Sequence, residues 1–142
     1  QWLDKQQIDI YIKPDNTAIL FDSSQLHHVM WNLCRNAVSH CKMPLSDINI
    51  SIQGGINMEF NQPFIDVIDN GPGIDPETAQ QIFDPFFTTS NEGTGLGLYI
   101  TKEVAESNRA KIRHIDLPAG GTCFRIYFLQ APEQQVSKVS NI

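Results

Sequence analysis

The stretch Phe64-Ile-Asp-Val-Ile-Asp-Asn-Gly-Pro-Gly-Ile74 joins an alternating apolar run to a carboxylate and two glycines. The run Phe64–Ile68 is typical of a half-buried strand, so Asp69 stands at the end of that strand. Gly71 and Gly73 can adopt positive φ, and their lack of a side chain lets a ligand approach the backbone. A fixed acceptor beside such a turn fits a flat ring that carries an amino group, such as adenine. Taken alone, the stretch is more typical of a plain polar turn.

The composition of the 142-residue chain limits what it can be. Hydrophobic residues make up 41% and charged residues 18%, as in a soluble globular domain. The formal net charge of −6 argues against nucleic acid as the main partner. The sequence has no apolar run of the roughly 20 residues that span a membrane, and we recognise no signal peptide. Three cysteines without metal-ligand spacing indicate reduced thiols in the cytosol.

Hydrophobic periodicity predicts strands and helices in alternation. We expect strands at 8–12, 18–21, 48–52, 56–60, 64–68, 112–115 and 123–129, with a hairpin turn at Gly54-Gly55. We expect helices at 23–42, 75–83 and 95–108, the first capped by Asp22 or Ser23 and the second opened by Pro76.

This order predicts an α+β fold, a two-layer sandwich with one mixed, largely antiparallel sheet and helices on one face. Residues 1–130 would form the domain and 131–142 a disordered tail. Because the chain starts at Gln1 rather than at a methionine, we expect a piece of a longer protein.

Two asparagines on the first helix form a candidate metal site. Asn32 and Asn36 are four residues apart, which places their amides on one helix face. Such neutral oxygen ligands can hold Mg²⁺, which keeps several waters and takes substrate phosphates as partners. Two polar residues on a solvated face would give the same pattern. A metal site at Cys34, Cys41 and His40 is a weaker alternative, because buried thiols explain these cysteines better.

A second glycine cluster, Gly93-Thr-Gly-Leu-Gly-Leu98, opens the last predicted helix. Glycines there offer free N–H groups and the positive end of the helix dipole to an anion, although the spacing is that of neither a P-loop nor a dinucleotide fingerprint. The preceding Phe83-Asp-Pro-Phe-Phe87 indicates a hinged cover, with the phenylalanines as its anchor and 88–94 as its moving part. Between Lys42 and Lys102 the sequence has no Lys or Arg, so Mg²⁺ and backbone N–H groups would have to meet phosphate charge.

In this order the four motifs resemble those of the catalytic ATP-binding domain of bacterial two-component sensor histidine kinases, within the GHKL superfamily. The resemblance covers residues 8–129 and is closest in the stretches Asp69–Ile74, Phe83–Thr89 and Gly93–Ile100. The stretches Trp31–Ala37, Ser107–Ala110 and Cys123–Ile126 look most like sensors of type IV pilus expression or nitrogen-regulation kinases. The resemblance implies the Bergerat fold, with ATP and Mg²⁺ as cofactors.

The resemblance also implies a role for each matching residue. Asn36 would be the Mg²⁺ ligand, Asn32 the catalytic residue that faces the phosphates, and Asp69 the acceptor of the adenine amino group. The further nucleotide-binding residues that it implies are Ser39, His40, Gly71, Gly73, Ile74, Phe87, Thr94, Gly95, Leu96, Gly97, Leu98 and Thr122. Ser90 stands where such covers often carry Lys or Arg, which predicts modest nucleotide affinity.

Asn32 bears on the type of reaction that the resemblance implies. The ATP-hydrolysing branches of the superfamily place a Glu there, and an amide cannot accept a proton from water. We therefore expect transfer of the γ-phosphoryl group to a histidine on a helical dimerisation and phosphotransfer domain of the same parent chain, followed by a cognate response regulator. The histidines of this chain, which are His27, His28, His40 and His114, all lack the setting of that acceptor. The domain alone would bind ATP without autophosphorylation.

Two other functions remain open. One is a stand-alone serine kinase of the anti-sigma type, and the other is a degenerate nucleotide-binding module that acts only in protein–protein contact. The resemblance further implies a cytoplasmic domain that is monomeric by itself, in a homodimeric parent anchored in the inner membrane.

Overall fold

The computed structural model describes residues 7–11, 18–88 and 94–130, which form two packed layers. The strands are β1 (Gln7–Tyr11), β2 (Ile19–Leu20), β3 (Asn49–Asn57), β4 (Gln62–Asp69), β5 (Lys111–Ile115), β6 (Thr122–Tyr127) and β7 (Leu129–Gln130). The helices are α1 (Ser23–Cys41), α2 (Pro76–Ala79) and α3 (Gly97–Ser107). Across these ranges, the structure has no helix that is both long and apolar enough to cross a membrane.

The main sheet has the strand order β1-β3-β4-β6-β5. Strand β1 runs parallel to β3, whereas the other neighbours are antiparallel. Strands β2 and β7 form a separate antiparallel pair. Helices α1 and α3 pack on each other and on one face of the main sheet. The predicted α+β sandwich with a mixed, largely antiparallel sheet is therefore confirmed, while the predicted tail at 131–142 lies outside the described residues.

Helix α1 begins where the sequence predicts and supplies six of the sixteen buried residues of the described hydrophobic core. The Asp22 carboxylate accepts a hydrogen bond from the Gln25 N–H at 2.9 Å, which caps the first turn. The helix ends at Cys41, because Lys42 adopts a left-handed conformation with φ of 51°. Its buried residues are Val29, Leu33, Cys34, Ala37, Val38 and Cys41. This stripe fixes the rotation of the helix, and hence the direction of its polar residues.

The glycine pair in β3 is not a turn. Strand β3 continues through Gly54 and Gly55, and the chain turns at 58–61 before β4. Gly55 lies opposite Phe64, and a Cβ on Gly55 would lie 2.8 Å from the Phe64 ring. The glycine therefore makes room for a cross-strand aromatic ring. The predicted turn at this pair and the separate strand at 56–60 are wrong.

The other two helices are shorter than predicted. Asp75 caps α2 and Pro76 is its first residue, as expected, but α2 ends at Ala79 and turns follow it. Helix α3 starts at Gly97 rather than Gly95, because the φ of 72° at Gly95 is incompatible with a right-handed helix.

Candidate functional site

The ends of β4 and β6 place a carboxylate and a hydroxyl side by side. Alternation along β4 puts Ile65, Val67 and Asp69 on the face that packs against the helices. Asp69 pairs in register with Thr122, the first residue of β6, and both are buried. The Thr122 hydroxyl has no hydrogen-bond partner among the described residues. Because an unpaired buried hydroxyl is costly, Thr122 marks a place for a ligand atom or a water.

Donors without a permanent charge surround the Asp69 carboxylate. Its Oδ1 accepts the Gly71 N–H at 2.8 Å, and the Cys41 thiol and the Thr122 backbone N–H lie close to the carboxylate. Burial raises the pKa of Asp69 above its ordinary value, although these neighbouring donors and the nearby His40 ring oppose that effect. An ionised carboxylate offers about four acceptor sites. Asp69 therefore keeps acceptor capacity for a donor on a ligand.

Asn70 holds the turn that follows Asp69. Its side chain accepts the Asn49 N–H and donates to the Asp47 carbonyl, each at 2.8 Å. On the other side, a Cβ on Gly71 would lie 2.9 Å from the Cys41 sulfur. The sequence predicts the two glycines of this turn, but it predicts neither the role of Asn70 nor the position of Cys41 beside the turn. Their partners are distant in sequence, so local patterns give no signal for these contacts.

A polar stripe on α1 faces the same turn. Asn32, Asn36 and His40 are spaced by four residues and are half-buried. The His40 Nε2 lies 3.2 Å from the carbonyl oxygen of Gly73, which directs the stripe toward the turn. Within the described residues, the side-chain amides of Asn32 and Asn36 make no hydrogen bond. Ser39 is exposed beside this stripe, where its hydroxyl lies 3.5 Å from the backbone oxygen of Asn36.

The start of α3 is an open helix N-terminus. Leu96 precedes the helix without a side-chain cap, so the first N–H groups of α3 are available to an anion. Among the described residues, no atom lies within 4 Å of a Cβ built on Gly97. Thr94 is exposed, and its hydroxyl accepts a long hydrogen bond from the Leu96 N–H at 3.4 Å. Leu98, like Ile74, is half-buried and packs against the core.

The two ends of the predicted cover are tied together. The Phe86 N–H donates to the Gly95 carbonyl at 2.9 Å, and a Cβ on Gly95 would collide with the Phe86 backbone. Phe83 and Phe87 pack against the core, whereas Phe86 is exposed. Two of the three phenylalanines thus provide the predicted anchor.

Two further sequence predictions concern the moving part of the cover and the alternative metal site. Ser90 and Gly93 lie outside the described residues, so the moving part of the cover stays a prediction. The alternative metal site at Cys34, Cys41 and His40 is not supported. In the ranges 7–11, 18–88 and 94–130, no group of three or more His, Cys, Asp or Glu residues could hold a metal ion.

A comparison with known families adds an independent finding. The family described as "Histidine kinase-, DNA gyrase B-, and HSP90-like ATPase" matches residues 21–132 of the chain. The chain belongs to this ATPase family. Its members' shared activity makes ATP the ligand class expected at the Asp69 end of the sheet. The resemblance to sensor histidine kinases that the sequence predicts is therefore confirmed at the level of the family.

Individual relatives agree with this assignment. The chain is 34% identical over 122 residues to the sensor protein kinase PilS of Pseudomonas aeruginosa. The aligned region covers 86% of this chain and 23% of that protein. It is 34% identical over 127 residues to the signal transduction histidine-protein kinase AtoS of Escherichia coli, with 84% and 19% covered. The chain therefore spans about a fifth of the length of these relatives.

A solved structure shows the same fold. The nucleotide-free catalytic domain of histidine kinase ThkA matches with a TM-score of 0.73 and 27% identity, over 94% of this chain and 86% of that one. The ATPase domain described here thus has the architecture of a histidine kinase catalytic domain.

Proposed function

We propose that this domain binds Mg²⁺-ATP and donates the γ-phosphoryl group to a histidine on a separate helical domain of its parent chain. The observation that carries the proposal is the pairing of Asp69 with Thr122. A buried carboxylate with spare acceptor capacity lies beside a buried hydroxyl that has no partner among the described residues. The amino group of adenine is a donor that the Asp69 carboxylate can bind, with Thr122 reached directly or through a water.

The residues present also fit a magnesium ion with a polyphosphate. Asn36 would be the protein ligand of Mg²⁺, and Asn32, one turn earlier, would face the phosphates. Both amides are half-buried and make no hydrogen bond within the described part of the chain. The open N-terminus of α3 would bind phosphate oxygens through its N–H groups. When bound, Mg²⁺ neutralises charge on the phosphate oxygens.

Asn32 supports phosphoryl transfer to a protein over hydrolysis. Its amide cannot accept a proton from an attacking water. The other half-buried groups of the same stripe are the Asn36 amide and the His40 ring, and His40 already contacts the Gly73 carbonyl. This chain would therefore position the nucleotide, while the attacking nitrogen would come from another domain.

The histidines of the described residues support an acceptor elsewhere. His27 and His28 are exposed near the start of α1, far along the helix from His40. His114 packs its ring against Phe124 in the sheet. Because the chain spans about a fifth of its relatives' length, a parent with further domains is expected.

We expect the parent protein to be a homodimeric sensor kinase with a helical dimerisation domain and an anchor in the inner membrane. A cognate response regulator would be its partner. The similarity to PilS supports the group of pilus-controlling or nitrogen-regulation sensors. The names of the relatives do not favour a stand-alone serine kinase. The unengaged asparagines and the free Asp69 acceptor argue against a degenerate module.

Phosphoryl transfer to a supplied histidine domain tests the proposal. The domain is mixed with the parent's helical domain and ATP that is labelled on the γ-phosphate. We expect Mg²⁺-dependent labelling of the helical domain, with the acid lability of phosphohistidine. The Asn36→Ala variant should lose the Mg²⁺-dependent gain in ATP affinity. Acid-stable label on serine would support the anti-sigma alternative, and ATP binding without any transfer would support the degenerate module.

A further inference from the structure

The thiol of Cys41 sits at the base of the Asp69 site. Cys41 is the last residue of α1 and is only 3% exposed. Its sulfur lies beside the Asp69 carboxylate, on the same side of the Gly71 backbone. A Cβ on Gly71 would lie 2.9 Å from that sulfur and 3.0 Å from the Asp69 Oδ1. The thiol, the carboxylate and the Gly71 backbone therefore meet at one point, with no space left for another atom.

We propose that Cys41 is a positioning residue for the nucleotide, because its thiol holds the Asp69 carboxylate in the orientation that reads the amino group of adenine. This inference rests on the proposed function and extends it to the selectivity of the site for adenine over guanine. Adenine offers an amino group at the position where guanine carries a carbonyl oxygen. A fixed acceptor-only group favours the former and repels the latter.

A neutral thiol suits this task better than a cation. Burial, followed by the charge of Asp69 and the hydrogen bond to it, raises the pKa of Cys41 to about 11. The group is therefore a protonated donor at neutral pH. A lysine or arginine here would form an ion pair and occupy acceptor sites of Asp69. A single weak S–H donor orients the carboxylate and leaves its other acceptor sites to the ligand.

Other titratable groups also surround Asp69. His40 lies on α1 beside Cys41, and its charge would lower the pKa of Asp69. Cys123 lies on β6, where burial raises its pKa to about 12 and the charge of Asp69 contributes. The remaining partners are the backbone N–H groups of Gly71 and Thr122. A change at Cys41 must therefore be compared with a change at a thiol that does not touch Asp69.

Cys34 provides that control. It lies two turns earlier on α1 and is 4% exposed, so it matches Cys41 in burial. Burial alone raises its pKa, without a contribution from Asp69. Truncation of either thiol to alanine removes the same atom from the same layer of the core. Only the Cys41 change removes a donor from the carboxylate.

The test compares Cys41→Ala, Cys41→Ser and Cys34→Ala in the 142-residue chain. ATP and GTP affinities are measured by calorimetry over a pH series, and the titration of the Asp69 carboxyl is followed by NMR without nucleotide. For Cys41→Ala we expect ATP affinity to fall about fivefold, because one weak S–H donor is lost, and we expect the preference for ATP over GTP to decrease. Loss of ATP binding on acidification should begin at a higher pH, because the carboxylate has lost a donor. Cys41→Ser should restore the ATP affinity, the preference for ATP over GTP and the pH at which ATP binding is lost.

Several outcomes would overturn the inference. If Cys41→Ala and Cys34→Ala behave alike, Cys41 acts only through packing. The same conclusion follows if Cys41→Ala weakens ATP and GTP equally without moving the Asp69 titration. Cys41→Val, which fills similar space without a donor, replaces the alanine variant if that one does not fold. A wild-type domain that binds neither nucleotide would overturn the proposed function itself, whereas intact ATP preference in Cys41→Ala would overturn only this inference.

Discussion

Strand β4 carries two carboxylates that are almost equally buried, Asp66 at 6% exposed and Asp69 at 5%. Their spacing of three residues sends them to opposite faces of the sheet. Asp66 accepts two hydrogen bonds from the Arg125 guanidinium, at 2.7 and 2.9 Å. Within the described part of the chain, Asp69 has only donors without a permanent charge and the ring of His40 nearby. Burial therefore does not distinguish a functional carboxylate from a structural one in this domain, whereas the partner does.

On the outer face of the sheet, which is the face away from the helices, Arg125 provides the hydrogen bonds and the counter-charge of Asp66. The Arg125 guanidinium lies 4.0 Å from the centroid of the Phe64 ring and 5.8 Å from that of Tyr127. The hydrogen bond to Asp66 raises the pKa of Arg125 and keeps it charged. No acceptor site in this pair faces the helices, so we assign it to stability. The first prediction tests that assignment.

Asp66→Asn should lower the free energy of unfolding by about 3 kcal/mol, because it leaves the partly buried Arg125 without its counter-charge. Chemical denaturation of the two proteins measures this difference. The folded variant should keep its preference for ATP over GTP. A loss of that preference would contradict a purely structural role for Asp66.

Asp69→Asn should have the opposite pattern. Hydrogen bonds to a charged group are worth about 1.5–3 kcal/mol, so ATP affinity should fall roughly 10- to 100-fold. The free energy of unfolding should stay the same or rise, because a buried charge without a cation is removed. Calorimetry and denaturation of the same preparation measure both quantities. An unchanged ATP affinity would rule out Asp69 as the adenine acceptor.

The pH dependence of stability should reveal the cost of the Asp69 charge. Burial raises the folded-state pKa of Asp69 above its unfolded value, so the folded state holds the proton more tightly. Wild-type stability should therefore fall, relative to Asp69→Asn, as the pH rises from the ordinary Asp pKa through the raised folded value. Below the unfolded-state pKa of Asp69, the difference in stability between the two proteins should no longer change with pH. Unfolding free energies of both proteins across that range provide the check, and a difference independent of pH would contradict the raised pKa.

Phe64→Leu should have the smallest effect. It removes the ring over Arg125 and should lower the free energy of unfolding by about 1 kcal/mol beyond any loss of packing. ATP affinity should not change, because Phe64 lies on the outer face. A double-mutant cycle with Arg125→Met separates the ring–guanidinium interaction from packing. A coupling energy near zero would show that the two groups only touch.

Local chemistry predicted much of the fold. A cap of α1 at Asp22 or Ser23 and Pro76 at the start of α2 were predicted from neighbouring residues alone. The structure confirms both predictions, with Asp22 as the cap. The predicted turn at Gly54-Gly55 is wrong because the role of these glycines depends on the Phe64 ring on the neighbouring strand. A glycine pair by itself is typical of a turn. The register of β3 with β4 shows that this pair instead makes room for the Phe64 ring.

The candidate site shows the same limit. The four-residue spacing of Asn32 and Asn36 predicted that the two side chains share a helix face. The alternation of apolar residues before Asp69 predicted that this residue ends a half-buried strand. The hydrogen bonds of Asn70 and the contact of Cys41 with Asp69 could not be predicted. These contacts join residues more than 20 positions apart, and no local pattern encodes them.

Calorimetric titration of the wild-type domain with ATP and with GTP, both with Mg²⁺, is the decisive measurement of the role of Asp69. We expect that ATP binds more tightly than GTP, that Asp69→Asn removes most of this preference, and that Asp66→Asn retains it. Equal binding of the two nucleotides by the wild-type domain would contradict the assignment of Asp69 as the group that reads adenine.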